Sequence, residues 1–242
     1  MRVFLAGTSS REKLFEKSTP LFVLESFLYF KPWQRKFISS SKMFMLDSGA
    51  FTFMQRKRAP DFNKFVDSYA NFINSNDISY FFELDVDSII GYCGVRKLRS
   101  TLEKNTGKQC IPVWHKSRGI DEFKSMCKEY PYVAIGGIAS KEIDPTDFAF
   151  FTYLIDIAHE NGCKIHGLGF SNPKGLLKCP FDSVDSTSWN AGSKFGRIFA
   201  VEDGVLVQKV SEKYAPDVPK TELDKVNLNT WIDFQKYAEF NL

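Results

Sequence analysis

Eight short apolar runs, each followed by a turn and a helix-like segment, constrain this fold more than any other feature of the sequence. The runs cover residues 2–6, 22–26, 43–47, 80–86, 110–115, 132–137, 164–169 and 181–185. Helical spacing of apolar residues is clearest at 61–74, directly after Pro60, and helix-like patterns recur at 95–105, 120–129 and 145–161. Because strands and helices alternate, the sequence predicts an α/β fold with a parallel sheet.

The number of strands favours a barrel. Eight strands within the first 185 residues predict a single compact (β/α)8 TIM-type barrel domain over residues 1–242. An open doubly wound sheet is the alternative, but it usually carries a glycine fingerprint after its first strand, which LAGTSS matches poorly. The patch DGVLVQKV predicts further β structure, and an extension from about residue 209 ends in a predicted helix around 228–240.

The composition excludes an intrinsically disordered chain, because 24 Phe, 9 Tyr and 4 Trp supply ample apolar surface for a core. No stretch approaches the roughly 20 uncharged apolar residues that a bilayer requires. The first residues do not resemble a signal peptide, so we expect a cytoplasmic protein without membrane contact. Five widely spaced cysteines predict reduced thiols, and the net charge of +3 neither requires nor excludes a nucleic-acid partner.

Polar residues gather where the predicted strands end, which is where barrel enzymes place their active sites. The residues at these ends include Asp47, His115, Gly136, Gly137, Leu168 and Gly169. Period-two alternation predicts that Glu83, Asp85 and Asp87 share one face of the fourth strand. It also predicts that Ser183 and Asp185 share one face of the eighth. Several carboxylates converging on one mouth favour a pocket for a polar planar ligand with an acid/base pair.

Each of these positions also has an ordinary structural explanation. A lone Asp at a strand end commonly caps a turn or a helix, and paired glycines can form a βα turn. His115 and His166 can be hydrogen-bonded structural residues. A metal site formed by Asp85, Asp87 and His115 is a further alternative, although no His-rich cluster supports it.

Four sequence blocks resemble the tRNA-guanine transglycosylases, and more closely the viral members that insert 7-deazaguanines into DNA. In chain order the blocks are LDSGAF at 46–51, ELDVD at 83–87, AIGGIA at 134–139, and HGLGFSNPKGLL with FDSVDSTSW at 166–189. The resemblance continues through FGRIFAVEDGVLV and so covers about residues 43–208. A single block such as DSG occurs widely, whereas four in order at predicted strand ends are much more specific.

The resemblance implies roles for the matching residues. Asp185 would be the nucleophile, Asp47 the general acid/base, and Asp85 the residue that reads the edge of the base. The other matching positions implied to bind substrate are Ser48, Phe51, Gly136, Gly137, Leu168 and Gly169. His115 is a further substrate-binding candidate, although Trp114-His115 stands where the family has a glutamine. Since FDS could match the nucleophile block in place of VDS, Asp182 is an alternative nucleophile.

The implied reaction is base exchange by a glycosyltransferase, in which guanine is replaced by a 7-deazaguanine such as 7-cyano-7-deazaguanine through a covalent Asp–glycosyl intermediate. The partners would be a nucleic acid and the free base, with no cofactor. No cysteine follows Cys179, so the zinc site of the family is missing and no metal is expected. This loss favours DNA over tRNA and a bacteriophage protein acting in a host cytoplasm. The sequence leaves open a homodimer.

Basic residues follow several of the strand ends, where a phosphate backbone would lie. They are Arg56, Lys57, Arg58, Lys116, Arg118, Lys194 and Arg197. A solvated charged surface is the alternative explanation. Reaching C1′ inside a duplex would require extrusion of the nucleotide.

Three other functions use the same features. A DNA glycosylase or nucleosidase would use the same two aspartates with water as acceptor, and a tRNA-directed transglycosylase would differ in its polymer. A non-catalytic nucleic-acid-binding barrel subunit would need neither aspartate. The identity of the acceptor separates the first of these from base exchange, and the sequence does not reveal it.

Overall fold

The computed structural model describes residues 1–54, 60–192, 197–210 and 220–242. Seven parallel strands form its main sheet, in the order β3-β2-β1-β7-β6-β5-β4. Their bounds are β1 Arg2–Ala6, β2 Phe22–Ser26, β3 Met43–Asp47, β4 Val113–Trp114, β5 Tyr132–Ile135, β6 Lys164–Gly167 and β7 Ser183–Ser186. The α/β class and the parallel sheet agree with the sequence, and the first three strands have the predicted bounds.

In the described residues, α-helices pack outside this sheet and at one of its ends. They are α1 Arg35–Ser40, α2 Ala50–Met54, α3 Phe62–Ser75, α4 Asp87–Thr106, α5 Ile120–Glu129, α6 Phe148–Glu160, α7 Pro173–Lys178, α8 Ser188–Ala191 and α9 Lys220–Asn241. Short polar side chains begin several of them: Asp61 accepts two backbone N–H bonds at the start of α3, and Asn172 does so before Pro173 in α7.

Both edges of the sheet are hydrogen bonded to one short segment, residues 80–83. Leu46 at the β3 edge exchanges backbone bonds with Tyr80 and Phe82, at 2.9 and 3.0 Å, and Ile111 at the β4 edge donates to Phe81 at 2.8 Å. The sheet therefore curls until its two edges meet the same residues. The segment forms only isolated bridges, at Phe81 and Phe82, before α4 begins. The prediction of a full strand at 80–86 is therefore wrong. The described residues form a seven-stranded half-barrel rather than the predicted closed eight-stranded barrel.

Alternation along the strands divides the core into two parts. One cluster fills the inside of the curled sheet and includes Phe4, Phe22, Met45, Phe82, Val113 and Tyr132. A larger cluster lies between the sheet and the helices and includes Leu5, Val23, Leu46, Trp114, Val184 and Phe151. Side chains two apart on one strand thus share a layer, which is the period-two rule.

The C-terminal helix closes the end of the sheet where the strands begin. Gln235 of α9 donates to the carbonyls of Val3 and Phe22, at 2.8 and 2.7 Å. Two antiparallel strands, β8 Arg197–Glu202 and β9 Val205–Val210, form a hairpin that packs on the same helix. The carboxyl ends of the parallel strands are on the side away from Gln235. Within the described residues, no helix is long and apolar enough to cross a membrane.

Candidate active site

A pocket of about 660 Å³ opens at the carboxyl ends of the parallel strands. Nine of the predicted site residues line it: Asp47, Phe51, Asp85, His115, Gly136, Gly137, Leu168, Gly169 and Asp185. Ser48 does not line the pocket. It is fully buried, and its hydroxyl accepts a hydrogen bond from the Ala50 amide at the start of α2.

Asp47 ends β3 inside this pocket, with part of its surface open to it. Its Oδ2 accepts a hydrogen bond from the Gly49 amide at 2.8 Å. Burial, together with the negative charges of Asp85 and then Asp185, raises the pKa of Asp47 to about 7. A carboxyl group with this pKa can both release and accept a proton near neutral pH, as a general acid/base must.

The backbone conformation requires a glycine at Gly49, two residues after Asp47. Its φ is +84°, and a Cβ there would lie 2.7 Å from both Leu28 Cβ and Ser26 Oγ. A side chain at this position would therefore displace the turn that follows Asp47. The glycine of the DSG block is therefore explained by the local backbone as well as by the family resemblance.

Asp185 lies one residue before the end of β7 and is 8% exposed. Its Oδ1 accepts a hydrogen bond from the Gly169 amide at 2.7 Å and lies 3.3 Å from His166 Nε2. The alternative nucleophile, Asp182, precedes β7 and does not line the pocket. Its Oδ2 is bonded to the Ile165 amide at 2.9 Å and lies 3.0 Å from a histidine at the opposite end of the sheet. The geometry thus favours Asp185.

A histidine between two carboxylates forms one wall of the pocket. His115 Nε2 lies 3.1 Å from Asp85 Oδ2, and its Nδ1 lies 3.1 Å from Glu142 Oε2. Burial would lower the pKa of His115, but the hydrogen bond and charge of Asp85 outweigh it and raise the pKa. Because both ring nitrogens are engaged, His115 orients Asp85 and has no free ring nitrogen for a base. Glu142, fixed by the Ser117 amide at 2.6 Å, was not predicted.

The two glycines after β5 differ in what they offer a ligand. The Gly136 amide already donates to the Trp114 carbonyl at 2.8 Å, so it is not available to a purine. A Cβ on Gly136 would lie 2.8 Å from His115 Cε1, and the glycine therefore permits the close approach of that ring. The Gly137 amide has no acceptor among the described residues and remains a candidate donor.

Glu83, Asp85 and Asp87 do not share a face, contrary to the predicted alternation. Extended pairing ends at Phe82, and Asp87 already begins α4. Glu83 and Asp87 both bind Arg118, at 2.9 and 2.7 Å, while Asp85 faces the pocket. The trio of Asp85, Asp87 and His115 considered as a metal site is therefore not assembled. In the described part of the chain, no cluster of three or more His, Cys, Asp or Glu could hold a metal ion.

The predicted backbone-binding cations have different positions. The side chain of Arg118 is only 1% exposed and is held by carboxylates and by the ring of Tyr92, whose centroid is 4.3 Å away, so it presents almost no surface to a phosphate. Lys116 is exposed, with Nζ 5.4 Å from the ring of Phe150. Arg197 is exposed on β8, bonded to Gln208, and does not line the pocket. The others, Arg56, Lys57, Arg58 and Lys194, lie outside the described residues.

Two pocket residues on the β2 side were not predicted. Glu25 is 2% exposed and accepts hydrogen bonds from the amide and hydroxyl of Thr8. Burial raises the pKa of Glu25 to about 7. Tyr29 is 48% exposed at the rim, and its hydroxyl lies 3.2 Å from Thr52 Oγ1. A glutamate within the apolar run FVLES was a signal in the sequence, whereas Tyr29 had none.

Comparisons with known proteins inform the fold. No model of a protein family matches this chain, and no curated protein does. Among solved structures, a candidate fructose-1,6-biphosphate aldolase from Coccidioides immitis is similar over 98% of this chain and 86% of its own, with a TM-score of 0.55 and 12% identity. Pyruvate carboxylase of Rhizobium etli aligns with 98% of this chain but 28% of its own length, with a TM-score of 0.46 and 12% identity. The aldolase similarity supports a TIM-barrel-like fold and indicates no activity.

Proposed function

We propose that this protein is a nucleic-acid guanine transglycosylase that exchanges guanine for a 7-deazaguanine, with DNA as the favoured polymer. The observation that carries the proposal is that Asp47 and Asp185 line one pocket, with the pKa of Asp47 raised to about 7. The sequence resemblance assigns the acid/base and nucleophile roles to the same two residues. We also propose that the fold is a (β/α)8-type barrel whose fourth strand is reduced to the bridges at Phe81 and Phe82.

In the first half of the reaction, Asp185 attacks C1′ of a guanine nucleotide. The bond between C1′ and the base breaks, its electron pair goes to the base, and Asp47 supplies the proton that neutralises it. A glycosyl ester on Asp185 and an Asp47 carboxylate remain. Because Asp47 must begin protonated, a pKa near 7 suits this role, whereas an ordinary aspartate would be ionised.

In the second half, the incoming 7-deazaguanine gives a proton to Asp47 and attacks C1′ from the vacated side. The bond from C1′ to Asp185 breaks, and its electron pair returns to the carboxylate. Two inversions retain the configuration at C1′, as in retaining glycoside chemistry. The proton balance closes on Asp47, and the reaction needs no cofactor.

Recognition of the base would rest on Asp85. An ionised carboxylate accepts hydrogen bonds only, so it complements the ring N–H and exocyclic amine that guanine and 7-deazaguanines share. His115 holds Asp85 through Nε2 and is held in turn by Glu142. Phe51 and Leu168 line the same pocket and would pack on the faces of the purine.

The rim suits an extruded nucleotide. Phe51 is 43% exposed and lines the same pocket as Tyr29, so the two rings would offer stacking surfaces to unpaired bases. Lys116 adds an exposed positive charge after β4. These features support a nucleic-acid substrate, and the closer sequence resemblance to the DNA-modifying transglycosylases supports DNA over tRNA.

Nucleoside analysis tests the proposal. The protein would be incubated with guanine-containing DNA or with tRNA, in the presence of 7-cyano-7-deazaguanine, and the digested polymer examined by mass spectrometry. We expect the deazanucleoside in DNA with the wild type and not with Asp47→Asn. Abasic sites without incorporation would indicate a glycosylase instead, and incorporation confined to tRNA would overturn the choice of polymer.

A further inference from the structure

Four polar side chains form a continuous hydrogen-bonded chain through the apolar interior of the curled sheet. Tyr132 on β5 is bonded to Ser183 on β7, Ser183 to His166 Nδ1 on β6, and His166 Nε2 to Asp185 Oδ1 at the pocket. All four residues are buried, and the His166 ring packs against Phe82 at a centroid distance of 5.2 Å. Such a chain is costly in an apolar core unless every hydrogen has an acceptor.

Satisfying every group fixes the direction of the chain. The proposed nucleophile role requires a carboxylate at Asp185, and a carboxylate only accepts hydrogen bonds, so His166 must carry its proton on Nε2. A neutral imidazole then accepts at Nδ1 from the Ser183 hydroxyl, which in turn accepts from the Tyr132 hydroxyl. In the reverse direction the Tyr132 hydroxyl would need a further acceptor, and the described residues supply none. The arrangement that satisfies all four groups therefore contains a neutral His166 with its proton on Nε2.

The chain also distinguishes the two oxygens of Asp185. Oδ1 accepts from both His166 Nε2 and the Gly169 amide. No donor among the described residues reaches Oδ2, although Asp185 lines the pocket. Two hydrogen bonds to one oxygen fix the plane of the carboxylate and leave the other oxygen without a donor among the described residues.

We infer that Tyr132, Ser183 and His166 position Asp185 so that Oδ2 is the oxygen that attacks C1′. This inference rests on the proposed function. When Oδ2 bonds to C1′ and the base departs with the electron pair of its glycosidic bond, Oδ1 becomes the ester carbonyl oxygen and keeps both donors. When the ester breaks, the electron pair returns to the carboxylate. No proton moves along the chain, and His166 is a positioning residue.

Activity of matched variants tests the inference. His166→Leu removes the donor to Oδ1 and should slow formation of the Asp185 adduct about 10- to 100-fold, with KM for the free base unchanged. His166→Gln keeps an N–H donor and a carbonyl acceptor and should recover most of the rate. Ser183 makes no hydrogen bond to Asp185, yet Ser183→Ala should slow formation of the adduct. The substitution removes the hydroxyl that fixes the tautomer of His166.

The control is a second histidine–aspartate contact at the other end of β7. His159 Nε2 lies 3.0 Å from Asp182 Oδ2, outside the pocket. His159→Leu removes this contact, and we expect an unchanged rate of adduct formation. A rate in His166→Leu as high as in His159→Leu overturns the inference, as does a failure of His166→Gln to exceed His166→Leu.

A second readout does not depend on activity. The chain has only three histidines, so 15N-labelled imidazoles are readily resolved by NMR. We expect His166 to be neutral with its proton on Nε2 in the wild type and to change tautomer in Ser183→Ala. A proton on Nδ1, or an imidazolium, overturns the chain. If the wild type forms no adduct while His166 has the expected tautomer, the proposed function fails and the hydrogen-bonded chain stands.

Discussion

Asp47 and Asp185 lie near the carboxyl ends of β3 and β7, which are separated by two other strands in the sheet, yet they line the same pocket. The charge of Asp185 helps to raise the pKa of Asp47. Curling of the sheet brings these two strand ends to one mouth. The two carboxyl groups therefore have different environments within one cavity. The pKa of the first is raised to about 7, and the second is fixed by two hydrogen bonds to one of its oxygens.

The first prediction concerns the pH dependence of the initial step. Adduct formation needs a protonated Asp47, whose pKa is about 7, so its rate should be highest in mild acid and fall about tenfold per pH unit well above 7. Single-turnover measurements with DNA between pH 5.5 and 9 would show this. A rate that rises through pH 7 would contradict the assignment of Asp47 as the acid.

The second prediction concerns stability. Glu25 has an ordinary pKa of 4.5 when unfolded and about 7 when folded, so the native state holds the proton more tightly. Stability should fall as the pH rises from about 4.5 to 7, by up to about 3 kcal/mol from this group. Glu25→Gln should therefore stabilise the protein at pH 8 and have little effect at pH 4, as measured by urea unfolding. Equal effects at both pH values would exclude the raised pKa.

The third prediction separates two neighbouring cations. Arg118→Met leaves the buried carboxylate of Glu83 and the partly exposed carboxylate of Asp87 without their main partner, and should destabilise the fold by about 3–5 kcal/mol. Lys116→Ala should leave the free energy of unfolding within about 0.5 kcal/mol. It should instead lower the slope of log K for DNA against log salt by about 1.

Denaturant unfolding and salt-dependent binding would be measured on both variants. A folded Arg118→Met protein whose salt slope is also lower would place Arg118 at the phosphate backbone after all. An unchanged slope in Lys116→Ala would remove Lys116 from that surface.

The fourth prediction concerns base recognition. Glu142→Gln weakens the hydrogen bond to His115 Nδ1, so His115 holds Asp85 less firmly in position. We expect KM for 7-cyano-7-deazaguanine to rise several-fold with little change in kcat. Glu160→Gln, at an exposed position on α6, is the matched control and should leave KM unchanged. Steady-state exchange kinetics would measure both. An equal KM in the two variants would remove Glu142 from the recognition of the base.

The sequence was most informative where side-chain alternation and strand ends combine. The position of Asp47 and Asp185 at the mouth could be predicted, because each follows a buried apolar run and so lies near the carboxyl end of its strand. The prediction that Glu83 and Asp87 share a face was wrong. The extended segment has only two isolated bridges, the second at Phe82, and a helix begins at Asp87. Periodicity alone does not show where pairing stops.

Contacts between distant segments could not be predicted from spacing. Glu142 contacts His115 from a loop 27 residues later in the chain. Arg118 is buried because its guanidinium binds the buried carboxylate of Glu83. His166 resembled an ordinary core histidine in the sequence. Only its three-dimensional neighbours, Ser183 and Asp185, show that it connects the interior of the sheet to the pocket.

Trapping of the covalent intermediate tests the central claim most directly. The protein would be incubated with guanine-containing DNA without an incoming base, denatured, and digested so that mass spectrometry locates any modified peptide. We predict a glycosyl adduct on Asp185, absent in Asp185→Asn and discharged in the wild type by added 7-cyano-7-deazaguanine. An adduct on another residue such as Asp182, or undiminished base exchange by Asp185→Asn, would contradict the account.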